Sequence, residues 1–174
     1  AADVAAASQA VFADVVGQLG FVGSGAIEVV ADQPAVVTSR TYNRSASGTL
    51  GQDYAAAAPA SMLAAGESAV LPQLVEDASY RSNISLTNTG DATATATVTL
   101  FDATGAALAS YDVTLAPGEW KQENQPFAGK AGQTALAAGY AKVTVTSGDG
   151  VVASASVIDN TTNDPTTVVA VRVS

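Results

Sequence analysis

The sequence predicts an all-β protein built as an antiparallel β-sandwich, and two observations carry that prediction. Polar and apolar residues alternate over long stretches, most clearly from Arg81 to Leu115, where Thr and Ser separate many of the apolar side chains. A period of two is typical of half-buried antiparallel strands, which turn one face to the core and the other to water. Turn sequences rich in Asn, Asp and Gly interrupt the alternation at 88–91 and 102–105. We therefore interpret 81–115 as a β-meander.

One short helix and three strands are expected in the N-terminal third of the chain. Val11, Val15 and Leu19 lie near helical spacing, which favours a helix over 14–19, whereas the chain before Ser8 is equally compatible with an extended conformation. Strand patterns follow at 26–31, 35–43 and 49–54, and an Ala-rich connection that contains Pro59 runs from 55 to 65.

The remainder of the chain shows a denser strand pattern. Besides the meander, strands are expected at 68–75, 119–125, 140–147, 151–159 and 166–173. Residues 127–139, which contain several Gly and Ala, are expected to form a long loop. The sequence Gly148-Asp149-Gly150 predicts a hairpin turn between two neighbouring strands.

An internal repeat divides the chain into two units of unequal length. The aligned pairs are Ile27 with Val143, Val29 with Val145, Ser39 with Ser156 and Asn43 with Asn160. The repeat predicts a partial N-terminal β unit over 1–56, the back half of a sandwich repeat. An Ala-rich linker over 57–65 would join it to a complete β-sandwich unit over 66–174.

The partial unit lacks any counterpart of 81–115, so its sheet edges and one face of its core would be open. Two explanations remain. The partial unit packs on the complete one within the same chain, or a neighbouring chain supplies the missing strands by β-strand addition. The second arrangement would make the protein a homo-oligomer or a polymer.

Composition excludes several classes of function. The 174 residues carry 7 Lys and Arg against 16 Asp and Glu, a net charge of −9, so a basic surface for nucleic acid is not expected. The absence of Cys and His excludes disulfides, thiol nucleophiles, His-based triads and zinc sites built on these ligands. No apolar run reaches the roughly 18 residues of a membrane span, and no membrane span is expected.

Two stretches carry a resemblance to a known group of proteins. The sequence 81–108 followed by LAPGEW, and the closing SVIDNTTNDP at 156–165, resemble Ig-like β-sandwich repeats of large secreted or surface proteins of bacteria. The SRTYN sequence at 39–43 is similar to the closing motif of the upstream repeat in such tandems. The resemblance implies an Ig-like antiparallel β-sandwich and an extracellular or cell-surface location. It brings no catalytic residues with it.

One loop offers the strongest candidate metal site. Asp159, Asn160, Asn163 and Asp164 supply oxygen ligands of the kind that calcium prefers, although the spacing of a calcium-binding EF-hand loop is absent. Asn and Asp are also ordinary turn residues. The favoured reading is a turn without any cofactor, and calcium is the alternative.

Other candidate sites are weaker. Glu119 and Glu123 would share one strand face and could pair as an acid and a base, but a solvated face explains them as well. Trp120 and Tyr111 could stack on a sugar ring, or belong to the core. Glycosylation sequons begin at Asn43, Asn83 and Asn160, and they matter only in a host that glycosylates Asn.

The sequence thus favours a non-enzymatic, extracellular structural protein. Its expected role is that of a subunit of a surface fibre, sheath or adhesive assembly, joined to its neighbours by β-strand complementation. The alternative is a module of a secreted multidomain protein that binds a glycan or another protein through loops such as 160–165 and 126–139.

Overall fold

The computed structural model describes residues 2–46 and 48–173 and confirms an all-β, antiparallel class. The strands are β1 Thr38–Ser45, β2 Gly48–Ala55, β3 Ser68–Glu76, β4 Tyr80–Asn88, β5 Ala94–Asp102, β6 Ala107–Leu115, β7 Trp120–Asn124, β8 Leu136–Ser147, β9 Val151–Asp159, β10 Pro165–Val169 and β11 Val171–Val173. Two short helices, α1 Val15–Gln18 and α2 Pro126–Ala131, and a 3-10 turn at Pro59–Ser61 complete the elements.

Strands β3 to β11 form a two-sheet sandwich. One sheet has four strands in the order β10-β9-β4-β7, and the other has five in the order β11-β3-β8-β5-β6. Their alternating apolar positions face each other and form one core, as the period-two pattern predicts. The largest side chains that are fully buried there are Phe127, Leu63, Leu71, Leu74, Ile84, Leu100 and Leu115.

The predicted β-meander is wrong at its first connection. Strand β4 lies in the four-stranded sheet, whereas β5 and β6 form a hairpin in the five-stranded sheet. Asn88, which is fully buried, holds the crossing: its Nδ2 donates to the carbonyls of Ala92 (2.8 Å) and Leu115 (3.1 Å), and its Oδ1 accepts from the Gly90 amide (2.9 Å). The side chain of Asn88, at the end of β4, thus ties the 89–93 connection and β6 of the other sheet together.

Three further local predictions are corrected by the structure, the first two of them by the order of the strands in the sheets. The 148–150 turn joins β8 to β9, which lie in different sheets, so it is a crossing and not a hairpin. The expected strand at 166–173 divides into β10 and β11, again in different sheets. The expected loop at 127–139 contains most of α2 and the start of β8, because Phe127 inserts fully into the core.

The N-terminal third departs most from the expected pattern. Helix α1 is present, with Asp14 as its N-cap, and β1 and β2 form an antiparallel hairpin beside β10, where Thr167 Oγ1 donates to the Asp53 carbonyl (2.7 Å). The strand predicted at 26–31 is not formed: these residues have no ladder partner among the residues that the structure describes. In the predicted repeat, β1 and β2 take the places of β9 and β10, whereas the residues aligned with β8 form no ladder among the described residues.

The sandwich core begins within the segment predicted to be a linker. Leu63 is 2% exposed and packs in the core, and it exchanges two backbone hydrogen bonds with Val151, of 2.8 and 3.0 Å. Residues 55–62 are mostly exposed. The end of this connection is thus part of the sandwich.

Candidate functional surface

The loop after β9, predicted as a candidate calcium site, is organised by an arginine. Arg81 on β4 donates from Nη1 to Asn160 Oδ1 (2.9 Å) and from Nη2 to Asn163 Oδ1 (3.0 Å). Asp159 Oδ1 accepts the backbone amides of Thr161 (2.7 Å) and Thr162 (2.8 Å). Hydrogen bonds from these amides lower the pKa of the Asp159 carboxyl.

This arrangement makes the loop a closed turn around a guanidinium group. Two of the four proposed ligand oxygens already accept hydrogen bonds from Arg81, and the Asp164 carbonyl accepts from the Asp159 amide (3.0 Å). The described part of the chain contains no group of three or more acidic side chains placed to hold a metal ion. Calcium binding at Asp159, Asn160, Asn163 and Asp164 stays a prediction that no comparison tests.

The two carboxylates considered as an acid–base pair have separate partners. Glu119 Oε2 accepts the Ala116 amide (2.8 Å) and lies 3.3 Å from Lys121 Nζ, whereas Glu123 Oε2 lies 3.3 Å from Lys130 Nζ. The Ala116 hydrogen bond lowers the pKa of Glu119. Each carboxylate is therefore compensated by its own lysine.

The three sequons differ in accessibility. Asn43 is exposed on β1, but Asn83 is 8% exposed within the four-stranded sheet. Asn160 uses its Nδ2, the atom that a glycan would modify, to donate to the carbonyls of Asp77 and Ala78 (both 3.3 Å). In the folded chain, Asn43 offers the freest amide of the three.

Trp120 and Tyr111 lie on neighbouring edge strands of opposite sheets, and both are half-buried. Among the residues that the structure describes, the stacked ring pair is instead Phe101 with Tyr140, whose centroids are 4.7 Å apart. Tyr111 lies over a lysine: Lys130 Nζ is 5.2 Å from its ring centroid. Tyr111 thus has a local partner in Lys130, and the two rings do not form a stacked pair with each other.

A lateral groove of about 310 Å³ separates the edge strands β6 and β7. Apolar side chains of β4 and β6 line it together with charged side chains of β6, β7 and α2. The lining residues include Ile84, Leu86, Tyr111, Val113, Lys121, Glu123 and Lys130. Here the two sheets part, and no further strand among the described residues covers the opening.

A buried carboxylate, Glu76, lies close enough to Tyr111 of this groove for its charge to act on the Tyr111 hydroxyl. Glu76, at the end of β3, is 2% exposed and accepts the backbone amides of Ala128 (2.7 Å) and Phe127 (3.3 Å) at the start of α2. Burial raises the pKa of Glu76, and the two amides oppose that shift. The helix has no side-chain cap of its own, so Glu76 satisfies its first amides from another element.

The Tyr111 hydroxyl is buried and has no hydrogen-bond partner among the described residues. Burial, followed by the charges of Glu123 and Glu76, raises its pKa strongly, so the hydroxyl stays neutral. Sequence reasoning considered Tyr111 only as a ring and missed Glu76 altogether. Neither residue has a distinctive pattern in the sequence around it. The two side chains come close together only when the strands pair and the sheets pack.

Strand β6 has a free outer edge along this groove. Eight of its nine residues, all of Ala107–Leu115 except Leu108, pair with β5, and no strand pairs with its other side among the described residues. Lys121 Nζ, from β7, donates to the Thr114 carbonyl (2.6 Å) from that side. A free edge of nine residues presents a row of backbone donors and acceptors.

The opposite side of the sandwich has a second groove, of about 340 Å³, between β3 and β10. Its lining includes Pro72, Gln73, Val157 and Val169. Hairpin strand β2 already lies beside β10, through the Thr167–Asp53 hydrogen bond. This side is therefore partly covered by the N-terminal hairpin of the same chain.

Many of the large apolar side chains of residues 2–37 are exposed to solvent. Exposure is 86% at Val30, 55% at Val29 and 46% at Ile27. The other exposed large apolar residues in this part are Val4, Val11, Phe12, Leu19, Phe21, Val22 and Val36. Exposed apolar residues in such number are typical of an interaction segment.

No helix of the described residues is both long and apolar enough to cross a membrane.

No protein-family model matches the chain, and no curated protein matches it. A protein of known structure, described as Thermotoga maritima 1070, is similar to this chain at 14% sequence identity with a TM-score of 0.46. That match covers 64% of this chain and 93% of the other. Similarity at this level supports no inference about function.

Proposed function

We propose that the protein is a non-enzymatic, extracellular structural subunit with an Ig-like sandwich, and that it assembles with its copies into a fibre, sheath or adhesive array. The observation that carries the proposal is the strand-like segment 26–31, which is exposed and has no ladder partner among the described residues. A sequence with the pattern of a buried strand gains stability when a second chain covers it.

Two further features support an assembly role. Only 13% of the residues are charged, whereas 48% are hydrophobic. An extensive apolar contact between two chains would therefore remove few charged side chains from water. The sandwich also presents a free edge on β6, and free edges pair readily with another chain.

The proposal predicts that one face of segment 26–31 drives assembly. Ile27 and Val29 alternate with Glu28 and Val30, so a paired strand would bury Val29 and leave Val30 in water. The substitution Val29→Glu should prevent assembly, because it would bury an unpaired carboxylate. The same change at the neighbouring position, Val30→Glu, should leave assembly intact.

Electron microscopy and sedimentation of the wild type and both variants test this expectation. Regular assemblies in the wild type and Val30→Glu, with monomers in Val29→Glu, are the expected result. A wild-type chain that stays a folded monomer across a wide concentration range would contradict the proposed function. Equal loss in both variants would indicate non-specific apolar association rather than strand pairing.

A further inference from the structure

We propose that the outer edge of β6 is the acceptor for segment 26–31 of a second copy of this chain, which would add a sixth strand to the five-stranded sheet. This inference rests on the proposed function and specifies the surface through which it operates. The donor is the segment described above, and the acceptor is the strand that borders the lateral groove.

The donor segment corresponds to a central strand in the complete unit. In the internal repeat, Ile27 and Val29 align with Val143 and Val145 of β8, both fully buried. Strand β8 pairs with β3 on one side and β5 on the other. The donor therefore has the side-chain pattern of a strand from this type of sheet, and among the residues that the structure describes no strand precedes it that could pair with it as β3 and β5 pair with β8.

The backbone of β6 shows which of its groups are free. Three residues of β6 contact β5 through side chains: Ser110 with Thr99 (2.8 Å), Asp112 with Thr97 (2.6 Å) and Thr114 with Thr95 (3.1 Å). Close side-chain contacts are typical of the non-hydrogen-bonded pairs of an antiparallel ladder, in which the amide and carbonyl point away from the partner strand. The Lys121 bond to the Thr114 carbonyl agrees with this direction.

The amides of Ser110, Asp112 and Thr114 therefore point outward from the sheet edge. The residues between them, Tyr111 and Val113, turn their side chains toward the core but remain only half-buried. An added strand with Ile27 and Val29 on the same face would complete their cover and extend the apolar layer.

The other edges offer less. Strand β7 is five residues long and β11 three, and β10 lies against the hairpin of its own chain. Among these edges of the described sandwich, only β6 combines nine residues, a row of outward backbone groups and half-buried apolar side chains beside a groove, and an incoming strand would replace Lys121 at the Thr114 carbonyl. The acceptor is thus the longest uncovered edge of the described sandwich.

The substitution Ser110→Pro tests the acceptor directly. Proline removes an outward amide, and its ring obstructs the approach of an added strand. The fold of the monomer should tolerate the change, because proline is accepted on an edge strand when the lost N–H faces away from the ladder. The matched control is Ser110→Ala, which removes the same hydroxyl contact to Thr99 but retains the amide. We expect Ser110→Pro to remain a folded monomer and Ser110→Ala to assemble like the wild type.

Quenched hydrogen exchange on the wild type provides a measurement that does not depend on a variant's folding. Assembly should slow exchange of the Ser110, Asp112 and Thr114 amides at least about tenfold, whereas the Tyr111 and Val113 amides are already protected by the ladder to β5. Assembly with no added protection at these three amides would overturn the acceptor, as would unimpaired assembly of Ser110→Pro. Either of these two results would contradict β6 as the acceptor and would still be compatible with the proposed assembly function. A wild type that stays monomeric would contradict both proposals.

Discussion

Ionisation of the Glu76 carboxyl lowers the stability of the folded state. It is 2% exposed, and burial is the main cause of its raised pKa, relative to an ordinary value of 4.5. A carboxyl with a raised folded-state pKa binds its proton more tightly when folded, so its contribution to stability is present at low pH and is lost as pH rises through the folded pKa. Glu119 has the opposite behaviour, because the Ala116 amide lowers its pKa.

The two glutamates therefore predict opposite pH profiles for matched substitutions. Relative to Glu76→Gln, the wild type should lose unfolding free energy as pH rises above about 4.5, the window of the raised pKa. Relative to Glu119→Gln, the wild type should lose unfolding free energy as pH falls below that value. Chemical denaturation between about pH 3 and pH 7 measures both differences. The same sign for both variants would contradict the assigned environments.

Strand β8 shows how an element depends on one small residue. Gly139 pairs with Leu74 at an irregularity in β3, where the register shifts on either side. A Cβ atom at Gly139 would lie 2.6 Å from the Phe101 carbonyl oxygen and 2.8 Å from Leu136 Cδ2. The strand can approach β5 and the Phe127 ring because this position has no side chain.

The substitution Gly139→Ala should lower the unfolding free energy by about 1–3 kcal/mol, the usual cost of overpacking. Gly129→Ala is the matched control: Gly129 lies in α2, and a Cβ there meets nothing within 4 Å. It should raise stability by about 0.5–1 kcal/mol, because alanine favours the helix. Equilibrium denaturation of both variants checks the pair, and equal effects would contradict the close approach at Gly139.

Stability at the scale of the whole molecule is concentrated after residue 62. The core is formed by residues from Leu63 onward, whereas the described residues before it bury none of their side chains completely. Leu63 contributes both a buried side chain and two backbone hydrogen bonds to Val151. The N-terminal third is therefore available for contacts with other molecules at little cost to the fold.

Removal of residues 1–37 should consequently change the unfolding free energy by less than about 1 kcal/mol, in the range of surface changes. The single substitution Leu63→Ala should cost about 2–5 kcal/mol, as for a buried leucine elsewhere. Thermal and chemical denaturation of the two variants compare these costs. The shortened chain should also lose assembly, which sedimentation measures. A shortened chain that unfolds would show that the N-terminal third stabilises the sandwich.

The sequence by itself determined the all-β class and most strand positions, because alternation such as that of Thr95 to Leu100 is a local consequence of burying one strand face. It also identified the turn residues Asp102 and Gly105, since turn geometry depends on a few neighbouring residues. The loop predicted at 160–165 is found at 160–164 for the same reason, with Asp159 at the end of β9 and Pro165 at the start of β10.

Only the tertiary structure decided which sheet each strand joins. The local sequence around Asn88 is typical of a turn. In the structure, however, its buried side-chain Nδ2 donates to the carbonyl of Leu115, far along the chain, where the chain crosses from β4 to β5 of the other sheet. Arg81 likewise reaches Asn160 and Asn163 across the sheet, and Glu76 reaches the start of α2. The free edge of β6 and the unpaired segment 26–31 follow from strand order, which depends on contacts between distant residues and leaves no local pattern in the sequence.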